Sequence, residues 1–372
     1  MLRPLIKWPG GKTGELEKLL PLFPKEYDRY VEPFFGGGAV FFALEPDKAA
    51  INDISRDLME FYCLIKDGDV TFYRYLDCFE KSFTGMSERA DAVYDRLLDV
   101  YHTYMSGRRD ADGLCLFVAE LISSVMDDIM AMFTEPIVKN REHFEAQLVN
   151  NVSDKLIRTA AHEKKSGMTD IDRVENFRTG FHAGYYMYFR DVYNDIILNR
   201  GPVYASGYRA TVFYFVREYC YGSMFRYNKA GEFNIPYGGI SYNNKNFRAK
   251  IDNMFDSNVK RVFSGCEVYS QDFTDFCRNI KVNEGDFIFL DPPYDTDFSD
   301  YEGRDFTRRD HERLAGYLSE TPAKFLLVIK NTEFIRGLYE GRFNIATFEN
   351  TYSYNVKSRN ERDALHLVIT NY

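Results

Sequence analysis

The sequence has few cysteines and no long apolar run, and both absences narrow the class of protein. Its six cysteines are scattered along the chain, without the close pairs that hold zinc or define a disulfide framework. No stretch of about eighteen apolar residues could cross a membrane, and Met1-Leu2-Arg3-Pro4 leads into polar sequence without a signal-peptide core. We therefore expect a cytoplasmic protein with reduced thiols and no membrane partner.

The chain also lacks a net positive charge, which is unfavourable for binding the phosphates of nucleic acids. The net charge is −9, but it is unevenly distributed. Between Asp67 and Ile137 there are 14 acidic and 6 basic residues, so this segment carries −8 and the rest of the chain only −1. The charge deficit therefore does not exclude a DNA-binding protein, and we expect the acidic segment to face away from DNA.

Apolar and aromatic residues are abundant. Hydrophobic residues make up 45 % of the chain, enough for a substantial core, and there are 28 Tyr and 32 Phe. Aromatic rings suit a protein that stacks on flat ligands such as bases, although core packing accounts for most of them.

Short apolar runs alternate with helical patterns at both ends of the chain. Helices are predicted at 39–44 and around 310–318, and strands at 29–32, 49–53, 287–290, 325–329 and 365–369. Runs that are apolar throughout and separated by helices are typical of a largely parallel sheet covered on both faces. These segments predict an α/β domain made of residues 1–66 and 261–372.

The middle of the chain, residues 67–260, has a different pattern. Apolar residues recur at helical spacing in 92–104 and 114–132, whereas 222–239 is rich in turn formers and is typical of a hairpin. The segment 164–167 is the best candidate for an exposed loop. We interpret the middle as a mostly helical domain inserted into the α/β domain.

A glycine-rich turn follows the first predicted strand. The segment runs from Val31-Glu32-Pro33-Phe34 into Phe35-Gly36-Gly37-Gly38. Glycines in such a turn allow the backbone to approach a ligand closely, and the next helix offers free N–H groups. An ordinary strand-to-helix turn would have the same composition, so this turn alone is weak evidence.

An acidic residue at the end of the next strand makes the glycine turn more specific. Asn52-Asp53-Ile54 follows Glu32 by about twenty residues, the position at which a carboxylate accepts hydrogen bonds from ribose hydroxyls. The turn lacks the Gly-x-Gly-x-x-Gly motif of dinucleotide-binding proteins. This absence favours S-adenosylmethionine over a dinucleotide as the cofactor. Asp53 as a plain helix cap is the alternative.

The third element is Asp291-Pro292-Pro293-Tyr294, directly after the strand 287–290. Ligands bind at this edge of such sheets, and two prolines make the loop stiff. Asp291 and the carbonyl of Pro292 can accept hydrogen bonds from an amino group on an aromatic ring, while Tyr294 stacks on that ring. A simple Pro-Pro turn would not explain the flanking Asp and Tyr.

Taken together, these motifs resemble the Dam-type (D12 class) family of adenine-N6 DNA methyltransferases. Further resemblance lies in Lys7-Trp8-Pro9-Gly10-Gly11-Lys12, in the hairpin from Arg226 to Gly238, in Gln271-Asp272-Phe273, and in the closing Ser358-Arg359-Asn360-Glu361-Arg362 and Thr370-Asn371-Tyr372. The resemblance covers about residues 4–66 and 215–372. The stretch 67–212 is longer than the recognition segment of the family and aligns poorly, which leaves the target sequence open.

The resemblance implies a Rossmann-like class I S-adenosylmethionine-dependent methyltransferase sheet with an inserted, mostly helical target-recognition domain. It implies transfer of a methyl group from S-adenosylmethionine to N6 of a flipped-out adenine in double-stranded DNA, with no metal and no required protein partner, by a monomer. The implied catalytic residues are Asp291, Pro292, Pro293 and Tyr294. The implied cofactor-binding residues are Trp8, Lys12, Glu32, Phe34, Gly36, Gly38, Asp53, Ile54, Asp272, Phe273 and Asp291. The implied DNA-binding residues are Arg226, Tyr227, Asn228, Lys229 and Asn234.

Other functions remain open at this point. An Asp-Pro-Pro-Tyr loop is compatible with methylation of cytosine N4, and a relative that has lost catalysis could bind DNA alone. Gly11-Lys12-Thr13 could suggest a phosphate-binding P-loop, but that motif requires a glycine where the chain has Ile6. A nucleotide hydrolase of this type is therefore excluded.

Overall fold

The structure is a computed structural model that describes residues 1–295, 300–301, 304–351 and 363–372, with side chains for 1–295, 306–348 and 365–372. The closing segment 358–362 lies outside the described residues. The chain forms two compact units. Met1–Asp67 and Phe255–Tyr372 make the first unit, and Gly68–Met254 makes the second. The chain thus passes between units at 67/68 and 254/255, whereas the sequence patterns placed these boundaries at 66/67 and 260/261.

The described strands of the first unit are β1 (Arg29–Glu32), β2 (Ala49–Asn52), β3 (Cys266–Tyr269), β4 (Asp286–Leu290), β5 (Asp300–Tyr301), β6 (Arg304–Asp305), β7 (Lys324–Lys330), β8 (Asn344–Thr351) and β9 (Asp363–Thr370). Seven of them form one sheet in the order β3-β2-β1-β4-β7-β9-β8. Neighbours from β3 to β7 are parallel, whereas β9 is antiparallel to both β7 and β8. A separate two-stranded antiparallel sheet pairs β5 with β6.

Short helices connect these strands. They are α1 (Leu16–Leu19), α2 (Ala39–Leu44), α3 (Arg56–Asp67), α12 (Ser257–Ser264), α13 (Phe273–Asn279), α14 (Arg308–Glu320) and α15 (Glu333–Tyr339), with 3₁₀ turns at Lys12–Gly14 and Leu20–Leu22. The second unit contains α4 (Val70–Ala92), α5 (Tyr94–Met105), α6 (Ala111–Met130), α7 (Arg141–Ser166), α8 (Asp170–Ile197), α9 (Ser206–Tyr219), α10 (Ile240–Asn243) and α11 (Phe247–Met254), with a 3₁₀ turn at Tyr221–Ser223.

Both faces of the sheet are buried, which explains why the segments 287–290 of β4 and 325–329 of β7 are apolar throughout. In β4, Ile288 and Leu290 pack into one core with α13, α14 and α15. The alternate residues Phe287 and Phe289 point to the opposite face, where the ring of Phe23 lies 5.0 and 5.8 Å from theirs. The predicted α/β class is confirmed.

The order of the strands determines where a ligand can bind. From β1 the chain adds β2 and β3 on one side of the sheet, whereas β4 and β7 pair on the other side. Connections that diverge in this way leave a crevice at the carboxyl ends of the two central strands. The glycine turn follows β1 and the Asp-Pro-Pro-Tyr loop follows β4, so both lie at this crevice.

The second unit is helical among its described elements, and its longest pair, α7 and α8, packs closely because of two glycines. A Cβ atom at Gly184 would lie 2.7 Å from Cα of Leu148, and one at Gly180 would lie 3.0 Å from Cα of Val152. Side chains at these positions would force the helices apart. Among the residues that the structure describes, no helix combines the length and the apolar character needed to cross a membrane.

Two details of the middle segment differ from the sequence-based prediction. The predicted helix over 92–104 is interrupted, because α4 ends at Ala92 and Val93 has φ −111° and ψ 8° before α5 begins. The predicted loop at 164–167 was wrong. Lys164 to Ser166 form the last turn of α7, and Gly167, with φ 70°, ends the helix.

Candidate active site

A cavity of about 340 Å³ opens at the carboxyl ends of β1, β2 and β4. Its volume falls in the range of about 300–1,000 Å³ that is usual for small-molecule and cofactor sites. Every residue that the sequence implicated in catalysis or cofactor binding lines this cavity, although the segments come from five separate parts of the chain. Phe306 and Asp310 also line it and were not predicted.

The glycine turn lines the cavity, and its backbone conformation requires glycine at two positions. Gly36 has φ 49° and Gly38 has φ 67°, left-handed values that favour glycine. A Cβ atom at Gly36 would lie 2.7 Å from Cδ1 of Trp8, and one at Gly38 would lie 2.4 Å from Cζ of Phe35. The indole of Trp8 therefore packs directly on the turn.

Asp53 fastens the same turn to the end of β2. Its Oδ2 accepts a hydrogen bond from the N–H of Gly36 at 2.8 Å, and its Oδ1 accepts one from the N–H of Ser55 at 2.9 Å. Burial raises the pKa of Asp53, and these backbone hydrogen bonds act in the opposite direction. Because a carboxylate has about four acceptor sites, Asp53 retains capacity for a ligand hydroxyl.

The Asp-Pro-Pro-Tyr loop after β4 is held by a lysine from the N-terminal motif. Nζ of Lys12, which is 4 % exposed, lies 2.6 Å from Oδ2 of Asp291 and donates to the hydroxyl of Tyr294 at 2.9 Å. Burial raises the pKa of Asp291, while the charge of Lys12 opposes that rise. The ammonium group thus neutralises the carboxylate and holds both ends of the Asp-Pro-Pro-Tyr loop. This contact joins residues 279 positions apart and left no signal in the sequence.

Glu32, at the end of β1, is a further buried carboxyl group that lines the cavity. Its Oε2 accepts a hydrogen bond from the hydroxyl of Tyr30 at 2.8 Å. Burial raises the pKa of Glu32 well above its ordinary value, and the nearby charges of Asp291 and Asp53 raise it further.

Three phenylalanines form an apolar wall of the cavity. The ring of Phe34 lies 5.4 Å from that of Phe273 and 5.6 Å from that of Phe306, and the rings of Phe273 and Phe306 are 5.9 Å apart. Flat apolar walls of this kind accommodate a heteroaromatic ring. No motif surrounds Phe306 in the sequence, so only the fold reveals its place in this wall.

Asp272, beside this wall, caps α13 and pairs with an arginine. Its Oδ1 accepts a hydrogen bond from the N–H of Thr274 at 3.0 Å and lies 2.6 Å from Nη2 of Arg313. Burial raises the pKa of Asp272, but the hydrogen bonds from Thr274 and Arg313 bring it below its ordinary value. The guanidinium of Arg313 lies 4.9 Å from the ring centre of Phe273, so it braces both residues.

The predicted DNA-contacting hairpin lies in the second unit. Two isolated antiparallel bridges, Tyr227 with Phe233 and Cys220 with Tyr237, fold it back on itself. Oδ1 of Asn228 accepts hydrogen bonds from the N–H groups of Ala230 and Glu232 at 2.9 and 3.0 Å. Asn228 therefore shapes the turn itself.

The other predicted DNA-binding residues differ in their contacts and in their exposure to solvent. Nε of Arg226 donates to Oδ1 of Asn234 at 2.8 Å across the hairpin. The hydroxyl of Tyr227 lies 3.5 Å from that of Tyr193. Lys229 is exposed at the tip.

Comparison with known proteins identifies the family of the chain. The model of the D12 class N6 adenine-specific DNA methyltransferase family matches residues 8–95 and 137–354. The chain belongs to this family. The match confirms the resemblance and the N6-adenine DNA methyltransferase function predicted from the sequence.

Relatives that match nearly the whole of this chain are named as methyltransferases or adenine methylases. The chain is 24 % identical to the type II methyltransferase M.CviBI of Paramecium bursaria Chlorella virus NC1A over all of both chains. It is 27 % identical to the type II methyltransferase M.MjaIII of Methanocaldococcus jannaschii, over all of this chain and 99 % of the relative. It is 23 % identical to a DNA adenine methylase of Vibrio cholerae serotype O1, over 99 % of this chain and 96 % of the relative.

Proposed function

We propose that this D12-family methyltransferase binds S-adenosylmethionine in the cavity and methylates N6 of an adenine that has left the DNA duplex. The observation that carries the proposal is the convergence of the glycine turn, Asp53 and the Asp291–Tyr294 loop on one cavity. A methyl donor in contact with the first two would lie beside the third.

The lining of the cavity fits this cofactor. Among the residues that the structure describes, the cavity is lined by one lysine, Lys12, and by five carboxyl groups, those of Glu32, Asp53, Asp272, Asp291 and Asp310. Lys12 pairs with Asp291, and Arg313 pairs with Asp272 and Asp310, so the fit rests on the groups that face ribose and adenine. The free lone pairs of Asp53 suit ribose hydroxyls, and the wall of Phe34, Phe273 and Phe306 suits an adenine ring.

The catalytic loop would act by orienting the target amino group. The N6 lone pair of adenine is delocalised into the ring and is a poor nucleophile. Hydrogen bonds from the two N6 protons to Asp291 and to the carbonyl of Pro292 favour a geometry in which that lone pair is available. Tyr294 would stack on the base, and Lys12 keeps the loop in place through its contacts with Asp291 and Tyr294.

When bound, S-adenosylmethionine supplies an already activated methyl group, so the protein needs to position the reactants and not to form a covalent intermediate. An adenine inside a duplex cannot reach a cavity of this kind, which requires the base to be flipped out. The exposed Lys229 and the neighbouring hairpin residues are the DNA contacts that we propose.

The test is methyl transfer from radiolabelled S-adenosylmethionine to unmethylated genomic DNA, followed by digestion and analysis of the modified nucleosides. We expect N6-methyladenine from the wild-type protein and no product from Asp291→Ala. The matched control is Asp275→Ala, which removes an exposed aspartate on α13 and should retain full activity. Methylated cytosine as the only product, or full activity of a folded Asp291→Ala protein, would contradict the proposal.

A further inference from the structure

Two buried titratable residues next to the catalytic loop belong to none of the motifs described above. Glu15 follows the 3₁₀ turn Lys12–Gly14, and its N–H bonds the carbonyl of Lys12 at 2.9 Å. His366 is in the middle of β9. Glu15 is 7 % exposed and His366 is 0 % exposed. Nδ1 of His366 lies 3.4 Å from Oε2 of Glu15, so the two form a buried pair.

The imidazole ring contacts the catalytic tyrosine. The ring of Tyr294 lies 5.4 Å from that of His366 at an interplanar angle of 71°, an edge-to-face arrangement. On β8, the cross-strand neighbour Phe348 makes a similar contact at 5.4 Å and 83°. The strand β9 is paired on both sides, with β7 and with β8, so the backbone at His366 is fixed.

These contacts connect the pair to the reacting groups. Tyr294, held by His366 on its ring, receives a hydrogen bond from Lys12 at its hydroxyl. Lys12 in turn pairs with Asp291. Glu15 therefore lies at one end of a continuous series of contacts that ends at the carboxylate predicted to hold adenine N6.

Burying a carboxylate and an imidazole is costly, and an apolar pair of similar volume would stabilise the core at least as well. Stability alone therefore does not explain this pair. Both residues also act electrostatically on the catalytic loop: Glu15 raises the pKa of Asp291 and His366 lowers it, in addition to the larger effects of burial and Lys12.

We propose that Glu15 and His366 are positioning residues that hold Tyr294, and through Lys12 also Asp291, in the arrangement required for methyl transfer. The inference rests on the proposed function and extends it to two residues outside the cavity wall. Neither residue touches the substrate in this scheme, so both should affect the rate of transfer more than the binding of cofactor or DNA.

The test uses His366→Leu, which removes the ring and the donor, and Glu15→Gln, which removes the charge but keeps an acceptor for Nδ1–H. Glu17→Gln, which changes an exposed glutamate two residues further along the chain in α1, is the matched control. The rate is measured in a single turnover at saturating DNA and cofactor. The affinity for S-adenosylmethionine is measured by fluorescence of Trp8, the single tryptophan of the chain, which lines the cavity. Because His366 is fully buried, His366→Asn replaces His366→Leu if the latter does not fold.

We expect His366→Leu to lower the single-turnover rate about tenfold or more. The dissociation constants for S-adenosylmethionine and for DNA should stay within about twofold of wild type. Glu15→Gln should have a smaller effect in the same direction, and Glu17→Gln none. The double variant should be no slower than His366→Leu alone, because the two residues act as one unit.

Wild-type rates for folded His366 and Glu15 variants would overturn the inference while leaving the proposed function intact, provided that Asp291→Ala is inactive. A loss of cofactor affinity as large as the loss of rate would also overturn it, since that would indicate a general disturbance of the cavity. Absence of transfer by the wild-type protein would overturn the proposed function itself, and this inference with it.

Discussion

Gly38 offers the sharpest test of the geometry of the glycine turn. Its φ of 67° lies in the left-handed region, and a Cβ atom there would lie 2.4 Å from Cζ of Phe35. The ring of Phe35 cannot easily move away, since it is 2 % exposed and packs against Phe41 at 5.4 Å and Tyr62 at 4.9 Å. Gly38→Ala should therefore destabilise the first unit.

The size of the effect follows from two contributions. Left-handed backbone costs a residue with a Cβ atom about 1–2 kcal/mol. Forcing an extra methyl group into a filled core costs about 1–3 kcal/mol. Together they predict a loss of about 2–5 kcal/mol in the free energy of unfolding of the first unit.

The assay is urea unfolding followed by fluorescence of Trp8, which reports on the first unit alone. Gly14→Ala is the control, because a Cβ atom at Gly14 would meet no heavy atom within 4 Å and its φ is not left-handed. That variant should change the free energy of unfolding by less than about 1 kcal/mol. Equal unfolding free energies for the two variants would refute the reasoning.

Three further predictions concern ligand binding and pH. Asp53→Ala should weaken binding of S-adenosylmethionine by about 1.5–3 kcal/mol in calorimetry, since it removes a charged hydrogen-bond acceptor; unchanged affinity would contradict the ribose assignment. Burial raises the pKa of Glu32, so folding takes up a proton, and stability falls as pH rises from the ordinary glutamate pKa toward the raised folded value. Glu32→Gln should remove this loss: between about pH 5 and 8 its stability relative to wild type should rise with pH, by no more than about 1.4 kcal/mol per pH unit. If urea unfolding gives the same difference in unfolding free energy between the two proteins at every pH, Glu32 does not titrate in this way. Lys229→Ala should weaken DNA binding and reduce the slope of log K against log salt concentration by about 0.9; an unaltered slope would remove Lys229 from the DNA contacts.

The sequence predicted the central strands well because they are buried on both faces. Residues 49–51 and 287–290 are apolar runs bounded by polar residues, and the structure has strands there. The edge strands escaped prediction for the opposite reason. In β3 only Cys266 is buried, and β8 has the mixed sequence Asn-Ile-Ala-Thr-Phe-Glu-Asn-Thr, so neither shows an apolar run.

The residues of the candidate site were predictable where local chemistry required a motif. Glycines in a left-handed turn and a carboxylate at the end of a strand leave a local pattern, as Gly36, Gly38 and Asp53 show. Pairing between distant segments leaves none. The contact of Lys12 with Asp291, and that of Glu15 with His366, depends on strands and turns that only the folded chain brings together.

The division of the first unit into two chain segments has a consequence for protein synthesis. Residues Arg29 and Asp286 are cross-strand partners in β1 and β4 but lie 257 positions apart, and all of Gly68–Met254 is made between them. Chains emerge from the ribosome at about 5–20 residues per second, and domains fold as units during this time. The helical unit can therefore fold while β1 and β2 still lack β4, and the cavity, whose lining comes from both sides of Gly68–Met254, can form only after that unit has been made.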